Sequence, residues 1–301
     1  MKISLSNHVK GILITALGVI VISPDGLLTR LITEDTLTIV FWRCLFYSLG
    51  MLVLLLFYYK TKFMDALFKI GIPGLWMVVL YFFGNLLFIY SITHTAVANT
   101  LFIMSTTPFW AALITWLVFK EKVAMRTWVA IGVAGAGIGI ICASKSIMPD
   151  AYLGNMAGLL ATATLATSFT IVARNRDRDL LPSFVVAGFA TAIILEPFIA
   201  PSTVSDINLG YLFIMGFMML PIGASLMFIG PRYVSAPEVG LLMLLESIFG
   251  PIWVWMVLDE YPGDMVVAGG VIVLTTLLVH AWLGMRSFNK RFQVKEHVVK
   301  S

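Results

Sequence analysis

The chain has 301 residues, 59% of them hydrophobic and only 12% charged, with a formal net charge of +4 and a mean hydropathy of +0.95. A soluble protein carries about 25% charged residues, so these residues cannot dress a water-facing surface around one core. Length alone suggests one or two soluble domains, but composition excludes them in favour of a protein with many membrane spans.

A spanning helix needs about 20 mostly apolar residues. That window predicts ten helices. The first five cover residues 10–28, 36–58, 69–92, 96–118 and 127–144, and the second five cover 154–173, 183–200, 208–230, 236–258 and 265–285. Only MKISLSNHVK precedes the first apolar run and no small-residue cleavage site follows it, so the first helix is read as uncleaved. The runs Ile70 to Thr93 and Ile207 to Pro231 contain no charge at all. Cys44 and Cys142 both sit within apolar runs and read as packing residues. No Cys/His spacing resembles a metal site. The connections are short, so the fold class is all-α integral membrane. It divides into a first five-helix unit over 10–144, a second over 154–286, and a basic tail over 287–301.

Basic loops stay on the cytoplasmic side. With the N-terminus inside, every Lys and Arg falls on the inside except Arg30, Lys145 and Arg43, the last lying within the second span. This places both termini in the cytoplasm. The tail RSFNKRFQVKEHVVK then serves as a topology anchor, and no nucleic-acid partner is expected.

A shift of 139 residues aligns 84–121 with 223–260 without a gap. It pairs Gly84 with Gly223, Leu87 with Leu226, Met104 with Met243, Trp116 with Trp255, Val118 with Val257, and Glu121 with Glu260. Spans three and four thus fall on spans eight and nine. Five is odd, so the second unit must begin on the opposite side of the membrane. Span four accordingly ends in the basic KEKVAMR, and its counterpart in the acidic DEYPGD. Inverted repeats are the usual architecture of alternating-access carriers, with the substrate held near the midplane.

Three segments carry a family resemblance: FWRCLF, YFFGNLLFIYSITHTAVANTLFIMSTTPFWAALITWLVFKEKV and RYVSAPEVGLLMLLESIFGPIWVWMVLDEYPG. They make the chain similar to the drug/metabolite transporter superfamily, specifically its ten-helix EamA-type carriers, over roughly residues 10–286. The resemblance implies a secondary carrier with a central cavity lined by spans 1–4 and 6–9, and with spans 5 and 10 at the periphery. It departs from the pattern at VISPDGLLTR in span one and at Ser247, where a proline commonly follows the acid.

Glu246 is the one charge in GLLMLLESIFGPIWVWMVL. An acid at the centre of a span costs about 2.5–3.5 kcal/mol by insertion scales. Either it is protonated and bonds a neighbouring helix, or it faces a cavity as proton acceptor or ligand for a cationic group. Its helical neighbours include Phe249 and Trp253, which suit an ammonium by cation–π attraction and equally suit packing. Arg43 either snorkels to the headgroups or faces the cavity, pairs with Asp25, Glu196 or Glu246, and receives a substrate carboxylate. Asp25, after Pro24, is a gating candidate or an interfacial turn residue. Tyr81, Asn85 and Phe88 share one face of span three and are candidate substrate contacts. Thr107, before Pro108, stands opposite Glu246 in the repeat; its hydroxyl either meets substrate or satisfies a freed carbonyl. The run GVAGAGIGI lacks the surroundings of a nucleotide loop and reads as close helix packing.

The expected function is secondary transport of a small organic metabolite (an amino acid, amine or other zwitterion) across the bacterial inner membrane. Proton coupling is left open, no cofactor is expected, and the protein is a monomer or homodimer. The alternatives are a multidrug or cation exporter, or an intramembrane or lipid-handling enzyme. The enzyme is disfavoured because no nucleophile–base pair is visible.

Overall fold

The computed structural model describes residues 5–120, 123–143, 151–175, 178–200, 204–229 and 236–300. Among them every regular element is helical. In chain order these are α1 (Leu5–Ile22), α2 (Asp25–Leu31), α3 (Thr36–Tyr59), α4 (Phe63–Phe68), α5 (Gly71–His94), α6 (Val97–Met104), α7 (Thr107–Phe119), α8 (Met125–Ala143), α9 (Ala151–Arg174), α10 (Pro182–Leu195), α11 (Asp206–Phe213), α12 (Leu220–Ile229), α13 (Ala236–Leu258) and α14 (Asp264–Lys300). A π-helical segment, Ile214–Met219, joins α11 to α12.

Among the described residues six helical stretches are long and apolar enough to cross a bilayer, and the bent pair α6–α7 makes a seventh. Pro182–Phe198, Leu242–Leu258 and Asp264–His280 are shorter apolar helices. Large apolar side chains such as Phe57, Phe68, Ile72, Ile193, Phe198 and Met256 stand exposed along them. A water-soluble monomer does not carry so much contiguous apolar surface, so the protein is a multi-pass membrane protein.

The spans depart from straight helices where the chemistry dictates. Pro24 has no N–H, so the helix of span one breaks into α1 and α2, and the Ser23 hydroxyl donates to the Ile20 carbonyl that Pro24 leaves unpaired (2.9 Å). Span four breaks the same way, bending by 43° between α6 and α7, and the Thr107 hydroxyl donates to the Met104 carbonyl opposite Pro108 (2.6 Å). Asp35 caps α3 by accepting from the Leu37 and Thr38 amides. The last helix continues past the predicted apolar span to Lys300, and α4 fills part of a predicted loop.

α3 lies at the centre. Ile39, Val40, Cys44, Tyr47 and Met51 build the largest buried cluster with side chains from α5, α10 and the α11–α12 span. α5 packs on α9 and α1 on α12, α3 on α10, α7 on α9 and α1 on α13, and α6 on α13. α8 packs chiefly on α14, where Gly137 and Gly269 let the two backbones touch. Gly132, Gly135 and Gly139 meet nothing within 4 Å. Only part of the predicted glycine stripe therefore packs within the chain, because α8 presents one face to α14 and the other outward.

Candidate functional site

Arg43 of α3 and Asp25, the first residue of α2, form a buried ion pair. Both terminal nitrogens of the guanidinium donate to the carboxylate, Nη2 to Oδ2 at 2.9 Å and Nη1 to Oδ1. The side chains are 6% and 5% exposed. Such burial is tolerable only when the remaining donors also find partners. Here Nε donates to Asn85 Oδ1 on α5 (3.3 Å), Nη1 also meets Met215 Sδ (3.2 Å), and the Phe88 ring lies 5.4 Å from the guanidinium carbon. The bend at Pro24 aims Asp25 inward, and the π-turn brings Met215 onto both Arg43 and the Thr29 hydroxyl (3.5 Å). π-turns of this kind are frequent at functional sites.

Tyr81, one turn before Asn85, accepts at its carbonyl from Asn85 Nδ2 (3.0 Å) and stacks on Tyr47 of α3, with ring centroids 5.5 Å apart. The predicted residues Asp25, Asn85 and Phe88 therefore meet around the Arg43 guanidinium, with Tyr81 behind Asn85. Glu196, weighed as a partner of Arg43, is exposed instead.

Glu246 lies deep in the bundle on α13, with Asp25 and Arg43 as the charges whose fields reach it, yet it keeps part of its surface open. Among the described residues nothing hydrogen-bonds or ion-pairs with it. Its flank of α13 carries Phe249, half-buried, and Trp253, whose Nε1 donates to Ser23 Oγ at the Pro24 break (3.0 Å). The adjoining face is locked to α6: Ser247 Oγ donates to the Leu101 carbonyl (3.1 Å), and Gly250 leaves room for the Leu101 side chain. Thr107 is buried with its hydroxyl spent on its own helix, so it does not join this group.

Toward the ends of the bundle, Arg30 of α2 holds Glu260 at 3.1 Å and donates to the Ile92 and Thr93 carbonyls. Asn208 of α11 donates to Glu34 and Thr33. At the opposite end the Tyr59 hydroxyl donates to Asp179, and Arg174 lies 4.1 Å over the Phe119 ring. Glu121 and the side chains of the basic tail lie outside the described residues. A crevice beside Glu260 is lined by Val97, Ala98 and Val254, and an open groove of about 700 Å³ runs between α5 and α9. Glu246 lines neither. Among the described residues no group of three His, Cys, Asp or Glu could hold a metal ion.

Comparison with known proteins bears on the whole arrangement. The model of the EamA-like transporter family matches residues 9–143. A transporter of Methanothermobacter thermautotrophicus, itself uncharacterized, is 26% identical over 214 residues, 66% of this chain and 61% of that protein. The chain thus spans less than two thirds of that relative's length. The pseudopaline exporter CntI of Pseudomonas aeruginosa is 22% identical over 213 residues, 69% of this chain and 72% of that protein. Residues 9–143 are thus similar to the EamA-like transporter family, and both relatives are transporters. A solved crystal structure covers 92% of this chain and 98% of its own with a TM-score of 0.59 and 12% identity, a likeness of fold alone.

Two residues of the candidate site, Met215 and Ser23, were not singled out from the sequence. Met215 is one methionine among 16, and only the π-turn makes it a partner of Arg43. Ser23 could have been found, since a hydroxyl before a proline inside a span has a freed carbonyl within reach.

Proposed function

We propose that the chain is a secondary active transporter in which ten helices cross the bilayer as two inverted units, residues 10–144 and 154–286, with both termini cytoplasmic. The six long spans, the bent pair and the three shorter apolar helices would supply those crossings. The packing supports two units. The 139-residue shift carries α5 onto the α11–α12 span, α6–α7 onto α13, α8 onto α14, α3 onto α10 and span one onto α9. Under that exchange the α5–α9 contact becomes α12–α1, and α7–α9 becomes α13–α1, both of which occur. The α3–α10, α8–α14 and α6–α13 contacts map onto themselves.

The transporter moves a small organic metabolite, an amino acid, amine or other zwitterion, across the bacterial inner membrane by rocking these units about a site near the midplane. The observation that carries the reading is Glu246, a carboxyl deep in the bundle without a hydrogen-bond or ion-pair partner among the described residues, beside the buried Arg43–Asp25 pair. Intramembrane ionisable residues mark substrate or ion pathways by default. A multidrug or cation exporter is a second reading, favoured by the aromatic flank of Glu246.

Reconstituted vesicles test the proposal. Wild-type protein should move a substrate without altering it chemically, while Glu246→Gln should abolish flux and remain folded in the membrane. Chemical conversion of the substrate, or full flux in that variant, overturns it.

A further inference from the structure

The identity of the substrate group can be narrowed, on the footing of the transporter reading above. We propose that the site takes a cationic nitrogen, held by Glu246, and that Arg43 is a strut that does not receive a substrate carboxylate.

Arg43 has little left to offer. A guanidinium carries five N–H donors in a fixed fork. Asp25 takes a bond from each terminal nitrogen, Asn85 takes Nε, Met215 shares Nη1, and Phe88 covers the group from one side. These partners come from α2, α5 and the π-helical segment, so the guanidinium ties three elements to α3. A substrate carboxylate could reach it only by expelling Asp25. That would leave the buried Asp25, Glu246 and the newcomer as three carboxylates around one cation, with the displaced acid lacking any counter-charge.

The sum of charges points the other way. Asp25 and Arg43 cancel, and Glu246 is the group left over; a cation neutralises the site, whereas a carboxylate adds to the imbalance. Around Glu246 the flank of α13 supplies Phe249 and Trp253. The Trp253 ring is fixed by its bond to Ser23, and an ammonium beside the carboxyl would gain from its π-face.

The test uses purified full-length protein and matched probes: phenylalanine, its decarboxylated form phenethylamine, and N-acetylphenylalanine, with lysine and cadaverine as a second series. Binding is read by thermal shift and equilibrium titration. The amines should stabilise the wild type. N-acetylphenylalanine, with a carboxylate but no cation, should bind about tenfold more weakly or worse. Phenylalanine should gain nothing from its carboxylate. Glu246→Gln should lose the amine response, and Glu246→Asp should retain part of it, which separates loss of the site from loss of fold. A response to N-acetylphenylalanine or to the amino acids without one to the amines overturns the proposal, as does the absence of any amine response. Failure of the transporter reading is distinguishable: a probe would bind yet show no counterflow in vesicles.

Discussion

Arg30 and Glu260 meet at 3.1 Å and tie the end of α2 to the segment after α13. By the repeat, Glu260 corresponds to Glu121 and span one to α9. The matching contact at the other end of the bundle is that of Arg174, at the end of α9, over Phe119, at the end of α7. Under the proposed two-unit arrangement, equivalent elements hold each other at both ends of the bundle. The Arg30–Glu260 pair is partly screened, with side chains 19% and 27% exposed, so losing it should shift the balance between closed and open ends by about 1 kcal/mol, roughly fivefold. In a Cys142→Ser background, a cysteine at Ala98, beside Glu260 in the crevice, should alkylate several-fold faster when Glu260→Gln is added. The swapped pair Arg30→Glu with Glu260→Arg should restore slow labelling. Phe119→Leu acts at the far end and should not accelerate it. Unchanged labelling in Glu260→Gln would show that the pair closes nothing.

The buried pair of Arg43 and Asp25 should behave differently from a surface contact. Removing one partner leaves a charge without compensation in a low-dielectric site, which costs about 3–5 kcal/mol. Arg43→Met and Asp25→Leu alone should therefore each lower the thermal unfolding temperature in detergent substantially. The double variant, which removes both charges, should recover most of the loss. Equal losses in the single and double variants would mean that the partners, Asn85 and Met215 among them, matter more than the charge pair.

Much of the fold was legible because a bilayer leaves few options. Hydropathy located the apolar helices, six or seven of which among the described residues are long enough to cross a bilayer, and the hydrogen-bonding chemistry of Pro24 and Pro108 marked where two of them break. The candidate site was legible in its charged members: Asp25, Arg43 and Glu246 stand out against an apolar background, and Asn85 and Phe88 share one face of α5. What the sequence could not convey is rotation and register between helices. Nothing in the string says that Met215 rather than Met218 meets Arg43, that Glu260 reaches Arg30, or that Gly137 touches α14 while Gly132 does not.

The cap of α3 adds a pH dependence. Burial opposes ionisation of Asp35, but hydrogen bonds from the Thr38 hydroxyl and from the Thr38 and Leu37 amides outweigh it and hold the carboxyl below its ordinary value. A depressed folded-state pKa contributes stability that is present above the unfolded-state pKa and is lost as pH falls through the folded-state value. Asp35→Ala should cost about 1 kcal/mol at neutral pH and less as the solution is acidified below the ordinary Asp range. Asp35→Asn should keep most of the cap while flattening that acid limb. Unfolding temperatures measured from neutral to strongly acidic pH check both.

Two glycines should respond to the same substitution with opposite signs. A Cβ at Gly50 would lie 2.3 Å from the Phe217 carbonyl oxygen and 2.8 Å from Pro221 Cγ. Both neighbours belong to the π-turned span that carries Met215, and neither is the end of a flexible side chain that could swing away. Gly50→Ala must therefore push that span off α3, at the roughly 1–3 kcal/mol typical of overpacking. It should also disturb the contact of Met215 with Arg43. Gly132 sits mid-helix in α8 with nothing within 4 Å of its Cβ. There Gly132→Ala relieves the helix of a poor former and should stabilise by up to about 1 kcal/mol. Unfolding temperatures of the two variants should move in opposite directions. A loss of stability in Gly132→Ala, accompanied by a smaller particle in detergent, would instead mean that this outward face of α8 packs against a second copy of the chain, because only an absent neighbour could make a Cβ there unwelcome.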